Sequence, residues 1–392
     1  MSRLPPLAAG GVALALLVGG CGGDDEPATN AGTSEDGTDR VVIATADGSF
    51  NPGAVYEKAA PGVVTILSVF GGGGGDAGDL FGGGGGVGQG SGFVISDDGE
   101  ILTNAHVVTD AEASGTPGSI NAAKEVYVQF ADRNQVPAEV VGFDPYSDVA
   151  LIKVDPEGLD IQPLELGDLD DVAVGAPVAA IGSPFGEEQS LSTGVVSATD
   201  RSIESLTEFR IDGAIQTDAS INPGNSGGPL LDADATVIGL NQQINTTSGG
   251  NEGVGYAVPI DLALRSLEQL RDDGSVDYAF LGVTTQALYP QLADKLGLDV
   301  ETGALVAEVS EGGPADEAGL EAADQTIDFQ GQEIEAGGDV IVAVNGEEIV
   351  GENDLARLVS RLDPGTEAEL EIIRDGEREE VTVTLGTRED AE

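Results

Sequence analysis

The feature that most limits what this chain can fold into is a succession of short strand-like apolar runs separated by turn residues. Glycine, proline, asparagine or aspartate closes each run, and helical spacing is almost absent. Val63-Val64-Thr65-Ile66-Leu67-Ser68-Val69 is the first, after a helical turn at 55–60. Gly90-Ser91-Gly92-Phe93-Val94-Ile95 and Gly99-Glu100-Ile101-Leu102-Thr103 follow as a hairpin. Val126-Tyr127-Val128-Gln129-Phe130 and Ala138-Glu139-Val140-Val141 alternate as half-buried strands do. Many short strands joined by turns predict an antiparallel barrel. A second set predicts another barrel: Val178-Ala179-Ala180-Ile181-Gly182, residues 190–198, Ile215-Gln216-Thr217-Asp218, Val237-Ile238-Gly239-Leu240-Asn241 and Gly255-Tyr256-Ala257-Val258-Pro259. Ile260, Ala263, Leu264, Leu267 and Leu270 then recur at helical spacing, with Gly274 as the stop.

Within the second set lies Gly224-Asn225-Ser226-Gly227-Gly228-Pro229. Glycines on both sides of a serine let the backbone turn sharply and a substrate carbonyl come close. The amides of Gly224 and Ser226, with Asn225 as a further donor, can then point at one spot and stabilise an oxyanion. A plain Gly/Pro/Asn turn between strands is the alternative. A serine hydroxyl needs an adjacent base, and the chain has one histidine, His106 in Thr103-Asn104-Ala105-His106-Val107-Val108. Asp148 opens the apolar run Val149-Ala150-Leu151-Ile152, so it can be held at the buried start of a strand. There it could accept the second ring N–H and fix the tautomer, or simply cap the strand entry.

The order His106, Asp148, Ser226 is that of the chymotrypsin-type triad. The three blocks, with Asp148-Val149-Ala150-Leu151-Ile152-Lys153 as the middle one, resemble those of the HtrA/DegP family of PDZ-containing serine proteases. The resemblance runs from about residue 52 to 388. It implies a mainly β fold, a chymotrypsin-like double β-barrel protease domain (50–272) followed by a C-terminal PDZ domain (275–388). It also implies a serine endopeptidase in which His106 is the base, Asp148 orients it and Ser226 attacks. Subsite walls are expected from Thr217, Asp218, Asn241, Gln242, Gln243 and Ile244. Neither metal nor organic cofactor is required. Unfolded exported proteins are the expected substrates and a homotrimer the expected assembly. Two alternatives stand beside this: a membrane-anchored chaperone or PDZ adaptor with marginal proteolysis, and an esterase.

Beyond residue 275, Phe280-Leu281-Gly282-Val283 resembles the carboxylate-binding loop of a PDZ domain, where backbone N–H groups capture a peptide C-terminus. Gly313-Pro314-Ala315-Asp316-Glu317-Ala318-Gly319-Leu320 and Gly338-Asp339-Val340-Ile341-Val342-Ala343-Val344-Asn345-Gly346 resemble the next two PDZ blocks. Leu355, Leu358, Val359 and Leu362 predict a helix lining the peptide groove, and residues 369–385 two strands joined at Arg374-Asp375-Gly376. Residues 321–337 exceed the usual spacing between those blocks.

Charge narrows the partners. Against 70 Asp and Glu there are 16 Lys and Arg, a net charge of −54. Nucleic acid is excluded, because phosphate contacts need clustered bases. Hydrophobic residues still make up 40% of the chain, so the acidity points to a folded protein adapted to high salt rather than to disorder. The glycine-rich stretch 71–90 lacks a Gly-Lys-Ser/Thr ending and reads as a loop, not a phosphate cradle. Residues 1–21 carry a basic start and an apolar run that is short for a spanning helix, and end in Val18-Gly19-Gly20-Cys21. That end resembles a lipobox, making Cys21 the candidate lipidation site of a protein anchored in the cell envelope. Residues 22–49 read as a disordered acidic tether.

Overall fold

The computed structural model describes residues 43–45, 48–71, 86–110, 120–169, 172–183, 189–207, 209–222, 224–242, 253–351 and 353–388. The lipobox with Cys21, most of the glycine-rich loop, and Gln243 and Ile244 lie outside them. A short pair, β1 (Ile43–Thr45) and β2 (Gly48–Phe50), leads into α1 (Pro52–Ala59). Asn51 caps this helix by accepting the Ala54 amide at 3.3 Å.

Six strands then close the first barrel: β3 (Val63–Val69), β4 (Val87–Val94), β5 (Glu100–Thr103), β6 (Glu125–Gln129), β7 (Gln135–Asp144) and β8 (Val149–Val154). They run β3-β4-β5-β8-β7-β6 around the barrel, every pair antiparallel. Closure leaves no strand edge unpaired. Alternate residues Val64, Ile66, Ile101, Val128 and Ile152 fill the interior. Between β5 and β6 a single helical turn, α2 (Ala105–Val108), carries His106.

The second barrel comprises β9 (Pro177–Gly182), β10 (Ser190–Glu204), β11 (Arg210–Thr217), β12 (Pro229–Leu231), β13 (Val237–Gln242) and β14 (Gly255–Pro259), in the order β10-β11-β14-β13-β12-β9. The opposite strand faces of both barrels meet: Phe93, Leu102 and Leu151 pack with Ile181, Leu231 and Leu240 in one cluster. The helix α3 (Ile260–Asp272) lays Ile260, Ala263, Leu267 and Leu270 on that cluster. Each isoleucine and leucine there contributes roughly 1.5–3 kcal/mol by leaving water, which lets a core poor in aromatics hold two barrels together.

The remainder is the PDZ domain. It contains β15 (Ala279–Phe280), β16 (Val283–Leu288), α4 (Pro290–Leu296), β17 (Gly303–Val309), α5 (Pro314–Glu317), β18 (Gln325–Phe329), β19 (Gln332–Ala336), β20 (Val340–Val344), β21 (Glu347–Glu348), α6 (Asp354–Ser360), β22 (Glu367–Arg374), β23 (Glu377–Thr384) and β24 (Gly386–Thr387). The main sheet runs β16-β17-β20-β22-β23, and α6 covers it with Leu355, Leu358 and Val359. The extra length at 321–337 is the hairpin β18–β19. Gln330 and Gly331 (φ 54° and 83°) make its two-residue turn, with the positive φ at both positions that such turns demand. Asp339, 1% exposed, pins the hairpin's ends: its carboxylate accepts Arg374 Nε at 2.8 Å, a terminal Arg374 nitrogen at 2.6 Å and the Glu321 amide at 2.8 Å. Among the described residues no helix is long and apolar enough to cross a membrane.

Candidate active site

Asp148 precedes β8 with φ 56°, a left-handed conformation that aspartate tolerates better than most residues. Both its backbone and its side chain are thereby turned onto α2. Its carbonyl accepts the Ala105 amide at 3.2 Å and Asn104 Nδ2 at 2.8 Å. Oδ1 accepts the His106 amide at 2.9 Å, and Oδ2 lies 2.8 Å from His106 Nδ1. Gln242, from the second barrel, donates Nε2 to the same Oδ2 at 3.1 Å. Asp148 is fully buried, while the His106 side chain is 26% exposed. Burial of the ring pushes its pKa down, but the charge of Asp148 and the hydrogen bond to it push up by more, so His106 lies above the ordinary 6.5. With Nδ1 facing the carboxylate, neutral His106 presents Nε2 as an acceptor.

Ser226 sits in the turn between β11 and β12, 3% exposed. Gly227 there has φ 80°, and a Cβ on it would come within 2.3 Å of Ser91 O and Thr103 Oγ1, so glycine is required. Ser91 fastens the turn to the first barrel. Its amide donates to Ser226 O at 2.8 Å, its hydroxyl donates to Gly224 O at 2.6 Å, and its carbonyl accepts Thr103 Oγ1 at 2.7 Å. Ser226 Oγ itself is buried with no hydrogen-bond partner among the described residues, so the His106–Asp148 pair does not extend to it in this state.

The amides of Gly224 and Ser226 have no acceptor among the described residues, whereas Asn225 donates its amide to Asn222 O at 2.9 Å. Two of the three anticipated oxyanion donors are therefore open, and the third is engaged in the turn. Thr217 is buried, its hydroxyl donating to Val195 O at 2.9 Å, and Asp218 accepts the Val195 amide at 2.7 Å. Asn241 is buried and donates Nδ2 to Pro229 O at 2.9 Å. Among the anticipated subsite residues, then, Gln242 supports Asp148 and Thr217, Asp218 and Asn241 brace strands.

Sequence reasoning missed Ser91, Thr103 and Asp144. Asp144, fully buried at the end of β7, accepts the Tyr146 amide at 2.9 Å, Ser266 Oγ at 2.7 Å, Tyr278 OH at 2.7 Å and the Ser147 hydroxyl. It thus anchors the residues leading into Asp148. No signal in the sequence separates it from the other acids. No group of His, Cys, Asp and Glu suited to a metal occurs among the described residues.

In the PDZ domain, Phe280 pairs with Gly386, Leu281 is buried and Gly282 has φ 83°. The Leu281 and Gly282 carbonyls accept the amides of Ala315 and Ser310, both at 2.9 Å. The amides of Leu281 and Gly282 have no acceptor among the described residues.

Residues 90–240 match the trypsin-like peptidase domain and residues 279–385 the PDZ domain. The chain is 45% identical over 298 residues to the probable periplasmic serine endoprotease DegP-like of Ectopseudomonas mendocina, covering 76% of this chain and 56% of that protein. It is 43% identical over 303 residues to the protein of that description from Halomonas elongata, covering 77% and 57%. It therefore spans a little over half the length of these relatives. Among solved structures, the HtrA-type protease AlgW with a tripeptide superposes with a TM-score of 0.68 at 32% identity, over 86% of this chain and 97% of that one. The double barrel, the arrangement around Ser226 and these likenesses agree: the chain belongs to the HtrA/DegP family of serine proteases, with a trypsin-like peptidase domain and a PDZ domain.

Proposed function

We propose that the chain is a serine endopeptidase acting on unfolded exported proteins. His106 Nε2 takes the Ser226 proton as Oγ attacks the scissile carbonyl, and returns it to the leaving amine. Asp148 stays ionised and orients the ring, and the amides of Gly224 and Ser226 stabilise the oxyanion. The observation that carries this reading is a buried serine in a turn where the amides of Gly224 and Ser226 have no acceptor among the described residues, and which Ser91 fastens to the barrel bearing the carboxylate-oriented histidine. Ser226→Ala and His106→Ala should each lower casein cleavage by about 10⁴-fold or more with folding intact. Near-parental cleavage by either variant would overturn the mechanism.

The open amides at Leu281 and Gly282 support capture of a peptide C-terminus by the PDZ domain. Free-acid peptides should outcompete their C-amidated forms for the full chain. Export with lipidation at Cys21, and a trimer, complete the reading. Cys21→Ser should release the protein from membranes, and sedimentation should report three copies.

One observation favours a second reading: Ser226 Oγ makes no hydrogen bond to His106. A chaperone or adaptor whose proteolysis is marginal would rest in such a state. The casein assay separates the two, since a chaperone would suppress aggregation equally well with Ser226→Ala.

A further inference from the structure

A cavity of about 340 Å³ lies where the second barrel and α3 meet α6 of the PDZ domain. Five of the chain's 16 basic residues line it: Arg210, Arg265, Arg357, Arg361 and Arg388. In a chain where acids outnumber bases 70 to 16, a chance set of wall residues would be acidic. Here three aspartates, Asp200, Asp212 and Asp261, face the five arginines.

Among the described residues most of these arginines make no direct ion pair, although the Asp212 charge still acts on Arg210 and Arg388. Arg357 pairs with Asp354 at 3.0 Å and Glu347 at 3.4 Å. The other four have no carboxylate within 4.0 Å among the described residues. Arg388 instead lies over the rings of Phe209, Tyr278 and Tyr146, at 4.6, 4.9 and 5.5 Å from their centroids. Arg265 stands over Tyr278 at 5.2 Å and donates to Leu362 O at 3.3 Å. Arg210 is held by Ser202, through Nε on the hydroxyl at 2.7 Å and a terminal nitrogen on the carbonyl at 2.6 Å. Guanidinium groups fixed by rings and carbonyls keep donors to spare, because each carries five N–H bonds. Burial pushes the Arg388 pKa down and the Asp212 pKa up, so both charges are held where water is scarce.

We propose that this cavity binds a small multivalent oxyanion, carrying phosphate or carboxylate groups, between the two domains. Arginine recognises both groups through paired N–H donors, and the volume suits a compact organic or inorganic anion. Arg210 and Arg265 belong to the protease domain and the other three to the PDZ domain, so one ligand would tie the two together. The same wall includes Tyr278, whose hydroxyl holds Asp144 and through it the residues before Asp148. Occupancy therefore bears on the loop that orients His106.

The test is a calorimetric titration of the full chain with sodium pyrophosphate and, separately, citrate, each at fixed ionic strength set by KCl. At least one anion should bind saturably at a single site, and the stronger of the two identifies the phosphate or carboxylate source. Arg210→Gln with Arg361→Gln should weaken that binding about ten-fold or more. Arg133→Gln with Arg378→Gln, which removes the same charge elsewhere, should leave it unchanged. Ser360→Glu supplies a carboxylate within the cavity and should abolish binding without removing an arginine. No saturable binding of either anion, or equal weakening by both arginine pairs, would overturn the proposal. So would full binding by Ser360→Glu. The readout is binding alone, so it stands or falls apart from proteolysis.

Discussion

Gln242 Nε2 lies 3.1 Å from Asp148 Oδ2, the oxygen that also meets His106 Nδ1 at 2.8 Å. A residue of the second barrel thus shares the carboxylate with which the first barrel orients its histidine. A carboxylate that accepts two hydrogen bonds on one oxygen is held more rigidly and lends the ring less of its charge. Gln242→Ala should therefore lower kcat/KM by about 10- to 100-fold, the rate equivalent of one hydrogen bond to a charged group. It should also move the acid limb of the pH profile upward, because His106 then feels the full charge of Asp148. An unmoved acid limb would make Gln242 a packing residue only.

The raised pKa of His106 fixes two opposite pH trends. The base must be neutral, so kcat/KM should rise with pH through a midpoint above 6.5. The folded state holds this proton more tightly than the unfolded one. The resulting stability is complete below 6.5 and is lost as pH rises through the folded value. Because the chain has one histidine, a single imidazole resonance followed by NMR reports both. A midpoint below 6.5 would show that burial outweighs Asp148.

Tyr278→Phe removes one of the donors on the buried Asp144 carboxylate. The loss should be roughly 1.5–3 kcal/mol, read as a fall of several degrees in the melting temperature. Burial first, then the Asp144 charge and hydrogen bond, push the phenol pKa upward, so it remains a donor across the working pH range. Ser266→Ala, losing a second donor to Asp144, should be less than additive with it. Strict additivity would show that the donors act separately.

Salt should stabilise the fold. At a net charge of −54 the chain repels itself, and 16 bases cannot pair 70 acids. The Debye length falls from roughly 30 Å at 0.01 M salt to roughly 3 Å at 1 M. The melting temperature and proteolytic rate should therefore rise between about 0.05 and 2 M KCl, also when residues 1–39 are removed. A flat series would assign the acidity to solubility alone.

Much of this was legible because short apolar runs bounded by turn residues stand out in sequence. The run Val63–Val69 is β3 residue for residue, and the pair joined at Asp375-Gly376 is β22–β23. The His106, Asp148 and Ser226 blocks were legible as motifs. What stayed hidden depends on contacts distant in sequence. Ser91 is a small polar residue among glycines until its hydroxyl meets Gly224 O across 133 positions. Gln242 looked like a subsite wall because only barrel closure turns its amide onto Asp148. The single turn α2 is too short to show a helical period. The hairpin β18–β19 alternates with few apolar residues, so it read as surplus length.

The division of labour between the barrels sets a clock on the newborn chain. Ribosomes deliver the chain from its N-terminus, and the barrel holding His106 and Asp148 is complete in sequence at Val154. Ser226 follows by about 70 residues, roughly 4 to 14 s of synthesis. Gln242 and Tyr278, which steady the carboxylate and its loop, emerge later still. A half-made copy therefore carries the His106–Asp148 pair before it carries the serine that the proposed mechanism needs.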